Sequence, residues 1–135
     1  MRLVAIAGSI GEQSYNRMLV RFIARHYKDE VEIEVLDIDD IPVFTQDEDL
    51  SDSVAVQKLY QKVFSSDGVI LATPEHNHTV PAAMKNVIEW LSFKLHPFEV
   101  KPVWIVGASY HRQGSSRAQL HLKQIMESPG VNAYV

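Results

Sequence analysis

Apolar and polar positions follow two alternating rhythms along this chain. Residues 3–7, Leu-Val-Ala-Ile-Ala, form a short unbroken apolar run ending in Gly8-Ser9, the pattern of a parallel strand covered on both faces. From 14 to 27, Met18, Leu19, Phe22, Ile23 and Tyr27 fall at helical spacing, with Ser14 placed as the cap. Residues 31–36 alternate Val, Ile and Val with polar positions, as an edge strand with one exposed face does. Residues 38–52 carry acids and Pro42 without a sustained period, which predicts a long loop.

The rhythm then repeats. A helix is predicted over 53–65, with Val54, Val56, Leu59, Tyr60 and Val63 as its apolar positions, and a strand over 67–73, the most apolar of the set and expected to be central. Pro81 suits the first turn of the next helix, because the N–H it lacks would be orphaned there anyway. Met84, Val87, Ile88 and Leu91 make that helix's buried stripe. A fourth strand is predicted over 103–108, a fourth helix over 115–126, and the start of a fifth strand over 131–135. The β–α alternation predicts an α/β, doubly wound parallel sheet with right-handed crossovers. No repeat, low-complexity tract or linker interrupts it, so residues 1–135 are expected to form one domain. A five-stranded fold of this kind normally carries a last helix, which this chain is expected to lack; the apolar sheet face so exposed would favour self-association.

Composition narrows the function. A chain of 135 residues with 46% hydrophobic content can bury roughly two-thirds of its unfolded surface. A net charge of −4 without a basic run argues against nucleic acid as a partner. The absence of Cys excludes a disulfide framework, a thiolate metal site and a cysteine nucleophile, and is compatible with a cytoplasmic home. The N-terminal apolar run of five residues is shorter than a signal peptide's apolar core, and nothing approaches a membrane span.

In an open parallel sheet, ligands bind beyond the carboxyl ends of the strands, where strand order reverses. Two loops fall there. Gly8-Ser9-Ile10-Gly11-Glu12-Gln13-Ser14-Tyr15-Asn16-Arg17 can turn hydroxyl and backbone N–H donors toward an anion at a helix N-terminus. The stretch 73–81, Thr-Pro-Glu-His-Asn-His-Thr-Val-Pro, joins an apolar strand to an amphipathic helix. Together they suggest a phosphate site beside a flat-ring site.

Several tenants of such sheets fail. The first loop has no Lys for a triphosphate P-loop and only two glycines, Gly8 and Gly11, where a dinucleotide fingerprint needs three. Asp37 sits where a ribose-binding acid would, although the solvated end of a strand explains it as well. No acids stand where a phospho-receiver needs them, and no Gly-x-Ser-x-Gly elbow exists. A phosphomonoester held by neutral donors and a helix dipole fits FMN better than ATP.

Three segments carry a resemblance: Gly8-Ser9 with Ser14-x-Asn16-Arg17; Pro74-Glu75-His76-Asn77 running into Pro81-Ala82-Ala83-Met84-Lys85-Asn86 and Trp90; and Gly107-Ala108-Ser109 with Gly114-x-x-Arg117-Ala118-Gln119. In these the chain, over its whole length, resembles the NADPH-dependent FMN reductase family of the flavodoxin-like superfamily. The resemblance implies a five-stranded sheet of order 2-1-3-4-5 and bound FMN reduced by NADPH or NADH. It implies that Ser9, Ser14 and Asn16 bind the FMN phosphate, with Ile10 also among the cofactor-binding residues, that Pro74, Glu75, His76 and Asn77 line the isoalloxazine ring, and that Ser109 and Tyr110 approach the ring or ribityl chain from the loop after the fourth strand. A homodimer or homotetramer, and a small electron acceptor such as a flavin or quinone, come with it. The chain departs from the family at Gly11, where many relatives have Arg; at His76, usually Tyr; and at Gly114-Ser115, usually Gly-Gly.

Plainer readings stand beside these. Ser14 caps a helix in any case, and Asn77 tolerates left-handed backbone. His76 and His78, two positions apart with no third ligand, are a weak metal signal, and none is expected. Trp90 and Met84 suit a core or an interface. Arg117 suits pairing with a carboxylate as well as a nucleotide phosphate, and His111 and Arg112 are by default exposed charge. No protein nucleophile or acid–base residue is needed for flavin chemistry. A flavin-bearing electron carrier, and a cofactor-free interaction module, remain as alternatives.

Overall fold

The structure is a computed structural model that describes residues 1–135. Four strands and four helices alternate: β1 (Arg2–Ala7), α1 (Tyr15–His26), β2 (Glu32–Leu36), α2 (Val54–Phe64), β3 (Gly68–Ala72), α3 (Ala82–Phe93), β4 (Val103–Val106) and α4 (Ser116–Met126). All neighbouring strands pair in parallel, in the order β2-β1-β3-β4. This is a flavodoxin-like sheet. β3 is buried at every residue and β1 over its last four, as their unbroken apolar runs require, while β2 lies at the edge.

Alternation along the strands splits the core in two. Val4, Ile6, Val69 and Leu71 face one side, where Leu59 and Val63 of α2, Met84, Val87, Ile88 and Leu91 of α3, and Leu122 and Met126 of α4 close over them. Each such side chain contributes about 1.5–3 kcal/mol by leaving water. Ala5, Ala7, Ile70 and Ala72 face the other side, under Val20 and Ile23 of α1.

The expectation of a fifth strand is corrected. The sheet has four strands, and near its end the chain makes only an isolated parallel bridge between Pro102 and Tyr134. Two hydrogen bonds carry it, from Val103 N to Tyr134 O (2.7 Å) and from Tyr134 N to Lys101 O (3.0 Å). The segment thus lies where a fifth strand would begin, but pairs too briefly to form one. No helix is long and apolar enough to cross a membrane.

α1 is rotated relative to the apolar count. Its buried residues are Asn16, Val20 and Ile23, whereas Met18 and Phe22 are 52% and 55% exposed. The cause is Asn16, a polar residue whose partner lies across the site, and which apolar spacing alone could not register. In α2, Val54 is likewise exposed, in the first turn. Both helices start at serine caps: Ser14 Oγ accepts from Arg17 N (3.3 Å) and Ser53 Oγ from Val56 N (3.4 Å).

The long loop after β2 is irregular but anchored. Trp90 Nε1 and Asn86 Nδ2 both donate to Pro42 O (2.7 and 2.9 Å), and Asn86 Oδ1 accepts from Phe44 N (2.7 Å). Trp90 is fully buried, and the Phe44 ring meets its ring edge-on at 4.9 Å. Trp90 is therefore a core residue that pins this loop to α3.

Candidate active site

Three loops, named for the strands they follow, converge at the carboxyl ends of β1, β3 and β4: the first loop, residues 8–14; the third loop, residues 73–81; and the fourth loop, residues 107–115. From β1 the chain runs outward to β2 on one side and to β3 and β4 on the other, so the order reverses between β1 and β3. Gly8 N donates to Ala72 O (2.8 Å) across that point, and a Cβ on Gly8 would lie 3.0 Å from Met84 of α3. The first loop therefore starts hard against the third.

Beyond Gly8 the backbone opens. The N–H groups of Ser9 through Gln13, and of Tyr15 and Asn16 in the first turn of α1, have no partner within the protein, while Arg17 N is taken by the Ser14 cap. The hydroxyl hydrogen of Ser14 stays free to donate, since its oxygen does the capping. Unpartnered donors at a helix N-terminus make a place for an anion. The nearby Arg17 guanidinium is committed elsewhere, to Asp39 (2.7 and 2.8 Å) and Asp37 (3.1 Å) at the end of β2. The donors left open here are thus neutral ones.

α4 has the opposite character. Its cap position, Ser115, makes no side-chain cap bond. Glu75 of the third loop fills that role from outside: its carboxylate accepts from Arg117 N (3.1 Å), Ala118 N (3.4 Å) and Arg117 Nη1 (2.9 Å). Burial pushes the Glu75 carboxyl up, but these hydrogen bonds and the Arg117 charge outweigh it and hold the group below its usual value. Glu75 is an ionised acceptor at neutral pH, and the start of α4 is closed to another anion.

The third loop then makes a tight turn. His76 and Thr79 exchange both backbone bonds at 3.0 Å, and the residues between them, Asn77 and His78, have φ of 49° and 65°. This is the left-handed pair of a two-residue hairpin turn. Asn77 suits such backbone, but His78 is held in it against preference, a cost tolerated where surroundings fix the loop. Thr79 Oγ1 lies 2.9 Å from His121 Nδ1 of α4, a second link to that helix.

The sequence-predicted residues do not all meet. Ser9 and Ser14 are half-buried beside the open N–H groups, and Ile10 is 53% exposed. Pro74 and Glu75 are partly buried and His76 and Asn77 exposed along the third loop. Ser109 and Tyr110 are exposed; Ser109 Oγ accepts from His111 N (3.2 Å), and the Tyr110 ring lies 5.6 Å from the ring of Tyr15. Asn16 is buried, and both ends of its amide are used by Ala108: Nδ2 donates to Ala108 O (3.0 Å) and Oδ1 accepts from Ala108 N (2.9 Å). Tyr15 was missed because an exposed helix residue carries no signal of its partner. Arg117 takes the carboxylate pairing that its type suggested.

Beside the first loop, Ile10, Ile38, Ile41, Val43, Phe44 and Ala83 line an apolar cleft of about 490 Å³. No cluster of three or more metal-ligating side chains occurs.

The whole chain, residues 1–135, matches the NADPH-dependent FMN reductase family. It is 44% identical over 133 residues to the NADH:(hydroxy)cinnamate reductase subunit CrdA of Vibrio ruber, covering 98% of this chain and 66% of that one. It is 42% identical over 139 aligned positions to the NADH-dependent flavin reductase subunit 2 of Lactobacillus johnsonii, covering 100% and 74%. Among solved structures it resembles the flavoenzyme NAD(P)H:(acceptor) oxidoreductase FerB of Paracoccus denitrificans, with a TM-score of 0.86, 26% identity, and 98% and 72% coverage. The chain therefore spans about two-thirds to three-quarters of the length of these relatives. With that match over residues 1–135 and relatives more than 40% identical, the chain belongs to the NADPH-dependent FMN reductase family.

Proposed function

We propose that residues 1–135 form one FMN-binding unit of an oxidoreductase that takes electrons from NADPH or NADH and passes them to a small acceptor such as a flavin or quinone. The observation that carries this reading is the contrast between two helix N-termini. That of α1 offers unpartnered N–H groups of Tyr15 and Asn16 beside the Ser14 hydroxyl, whereas that of α4 is filled by Glu75. The phosphate of FMN then belongs at α1, within reach of Ser9, Ile10 and Ser14. Its ring extends along Pro74–Asn77 toward Ser109 and Tyr110.

Bound FMN would supply the two-electron exchange between the nicotinamide and the acceptor. The chain's own task is to bind and orient. The loop at 74–77 would line the ring, the Tyr15–Tyr110 pair joins the first turn of α1 to the loop after β4, and Glu75, whose carboxylate is taken up by Arg117 and Ala118, is not assigned as a proton donor. No catalytic side chain is assigned. The names of the relatives, which include a flavin reductase and an NAD(P)H:(acceptor) oxidoreductase, support the electron path. Exposed Met18, Phe22 and Trp104 support a homodimer or homotetramer, and the supply of NAD(P)H supports a cytoplasmic setting.

The test is to load the protein with FMN, desalt it, and add NADPH or NADH without oxygen. Retained flavin absorbance that bleaches is expected. Retention without bleaching would make the protein an electron carrier, and no retention would favour an interaction module; either result overturns the proposal.

A further inference from the structure

β4 ends at Val106, and beyond it neither backbone group of Ala108 pairs with another backbone group. At Ala108 that deficit is met by a side chain. The Asn16 amide offers one N–H and one C=O in a plane, as a peptide does, and it takes both backbone groups of Ala108 at 2.9 and 3.0 Å from 92 residues away. Asn16 is 2% exposed, so these bonds form where water does not compete.

The same loop is fixed again at its far root. Glu75 grips Arg117 and Ala118 at the start of α4. Just before the first grip, Gly107 admits no side chain: a Cβ there would lie 1.9 Å from Ser115 Oγ and 2.8 Å from Thr73 O. Residues 109–113 are exposed between fixed ends.

We propose that the side chains of Asn16 and Glu75 position the site rather than touch the flavin: they tie the loop after β4 to the loops after β1 and β3, so the loops are set before a cofactor arrives. This rests on the FMN-binding reading above, and it changes what Asn16 does within it. A side chain that hydrogen-bonds the phosphate acts on FMN alone. One that fixes the loop facing the ring acts equally on riboflavin, which has the same ring and no phosphate.

The experiment has two arms. Dissociation constants for FMN and riboflavin are measured on the wild-type chain, Asn16→Ala and Glu75→Gln, with Asn16→Asp as a substitute should Asn16→Ala not fold. Losing the brace should weaken both flavins by a similar factor of about ten, leaving their ratio unchanged. Weakening of FMN with riboflavin untouched, or no change in either, would overturn the proposal. In the second arm, amide hydrogen exchange of residues 107–115 is followed in flavin-free protein. Faster exchange in the variants than in wild type is expected, and equal exchange would overturn the proposal. This arm needs no cofactor, so wild-type protein that bound neither flavin would refute the FMN reading while still leaving the brace decided by exchange.

Discussion

Two serine caps on different helices separate a role in folding from a role in binding. Ser14 Oγ accepts from Arg17 N at 3.3 Å and Ser53 Oγ from Val56 N at 3.4 Å, so the two bonds are nearly equal in geometry. Replacing either by Ala removes one cap, at about 1 kcal/mol. For a chain of this size that is a fall in Tm of about 3–6 °C. Only Ser14 stands beside the open N–H groups of α1, and its hydroxyl hydrogen is free to donate to a phosphate. A hydrogen bond to a charged group is worth about 1.5–3 kcal/mol, so Ser14→Ala should weaken FMN about 10- to 150-fold. Riboflavin binding should hardly change, and Ser53→Ala should leave both flavins alone while losing the same stability. Thermal melts of the flavin-free proteins and flavin fluorescence titrations supply the numbers. Equal loss of FMN affinity in the two variants, or none in Ser14→Ala, would refute the placement of the phosphate at α1.

Other perturbations report on the frame around the site. Gly107→Ala drives a methyl group into Ser115 Oγ and Thr73 O and should cost about 1–3 kcal/mol in urea unfolding; adding Ser115→Ala should recover only part, because the Thr73 carbonyl cannot step aside. Trp90→Phe removes a buried ring and the 2.7 Å bond to Pro42 O but leaves that carbonyl to Asn86, so a loss of about 1–2 kcal/mol is expected by the same assay. Acid should loosen the protein through Glu75, held below 4.5, and through Asp49, brought down to about 2 by Lys94 and Ser51. Each carboxylate adds stability above its unfolded value, and that contribution is lost as pH falls, below about 4.5 for Glu75 and from about 3.8 toward about 2 for Asp49. Glu75→Gln should flatten this acid limb in melts taken across that range, and parallel wild-type and variant profiles would contradict the pairing.

Local rules made much of the frame legible. Unbroken apolar runs marked β1 and β3 because strands buried on both faces have no polar positions to show. The Met84-Val87-Ile88-Leu91 stripe of α3 is fully buried, and Ser14 and Ser53 start their helices as their types require. The errors share one cause. Met18 and Phe22 fall at helical spacing yet lie exposed, while α1 turns Asn16 inward to Ala108, a partner no periodicity can reveal. The fifth strand stops at one bridge at Tyr134, since apolar content shows that a segment can pair but not for how long. Within the site the loops were legible and their connections were not. Glu75 with Arg117, Arg17 with Asp37 and Asp39, and Asn86 with Pro42 all join residues at least 20 positions apart. Residue type suggests a charge partner for some of these, but only the folded sheet supplies its address.

We place the FMN phosphate at the α1 N-terminus, with the flavin among three braced loops. A crystal structure of the FMN complex tests it most directly. The phosphate is expected within hydrogen-bonding distance of Tyr15 N and Asn16 N and of the Ser14 hydroxyl, the ring along residues 74–77, and the Asn16 side-chain amide still on Ala108. A phosphate lodged away from α1, or an Asn16 side chain turned from Ala108 onto the phosphate, would contradict it.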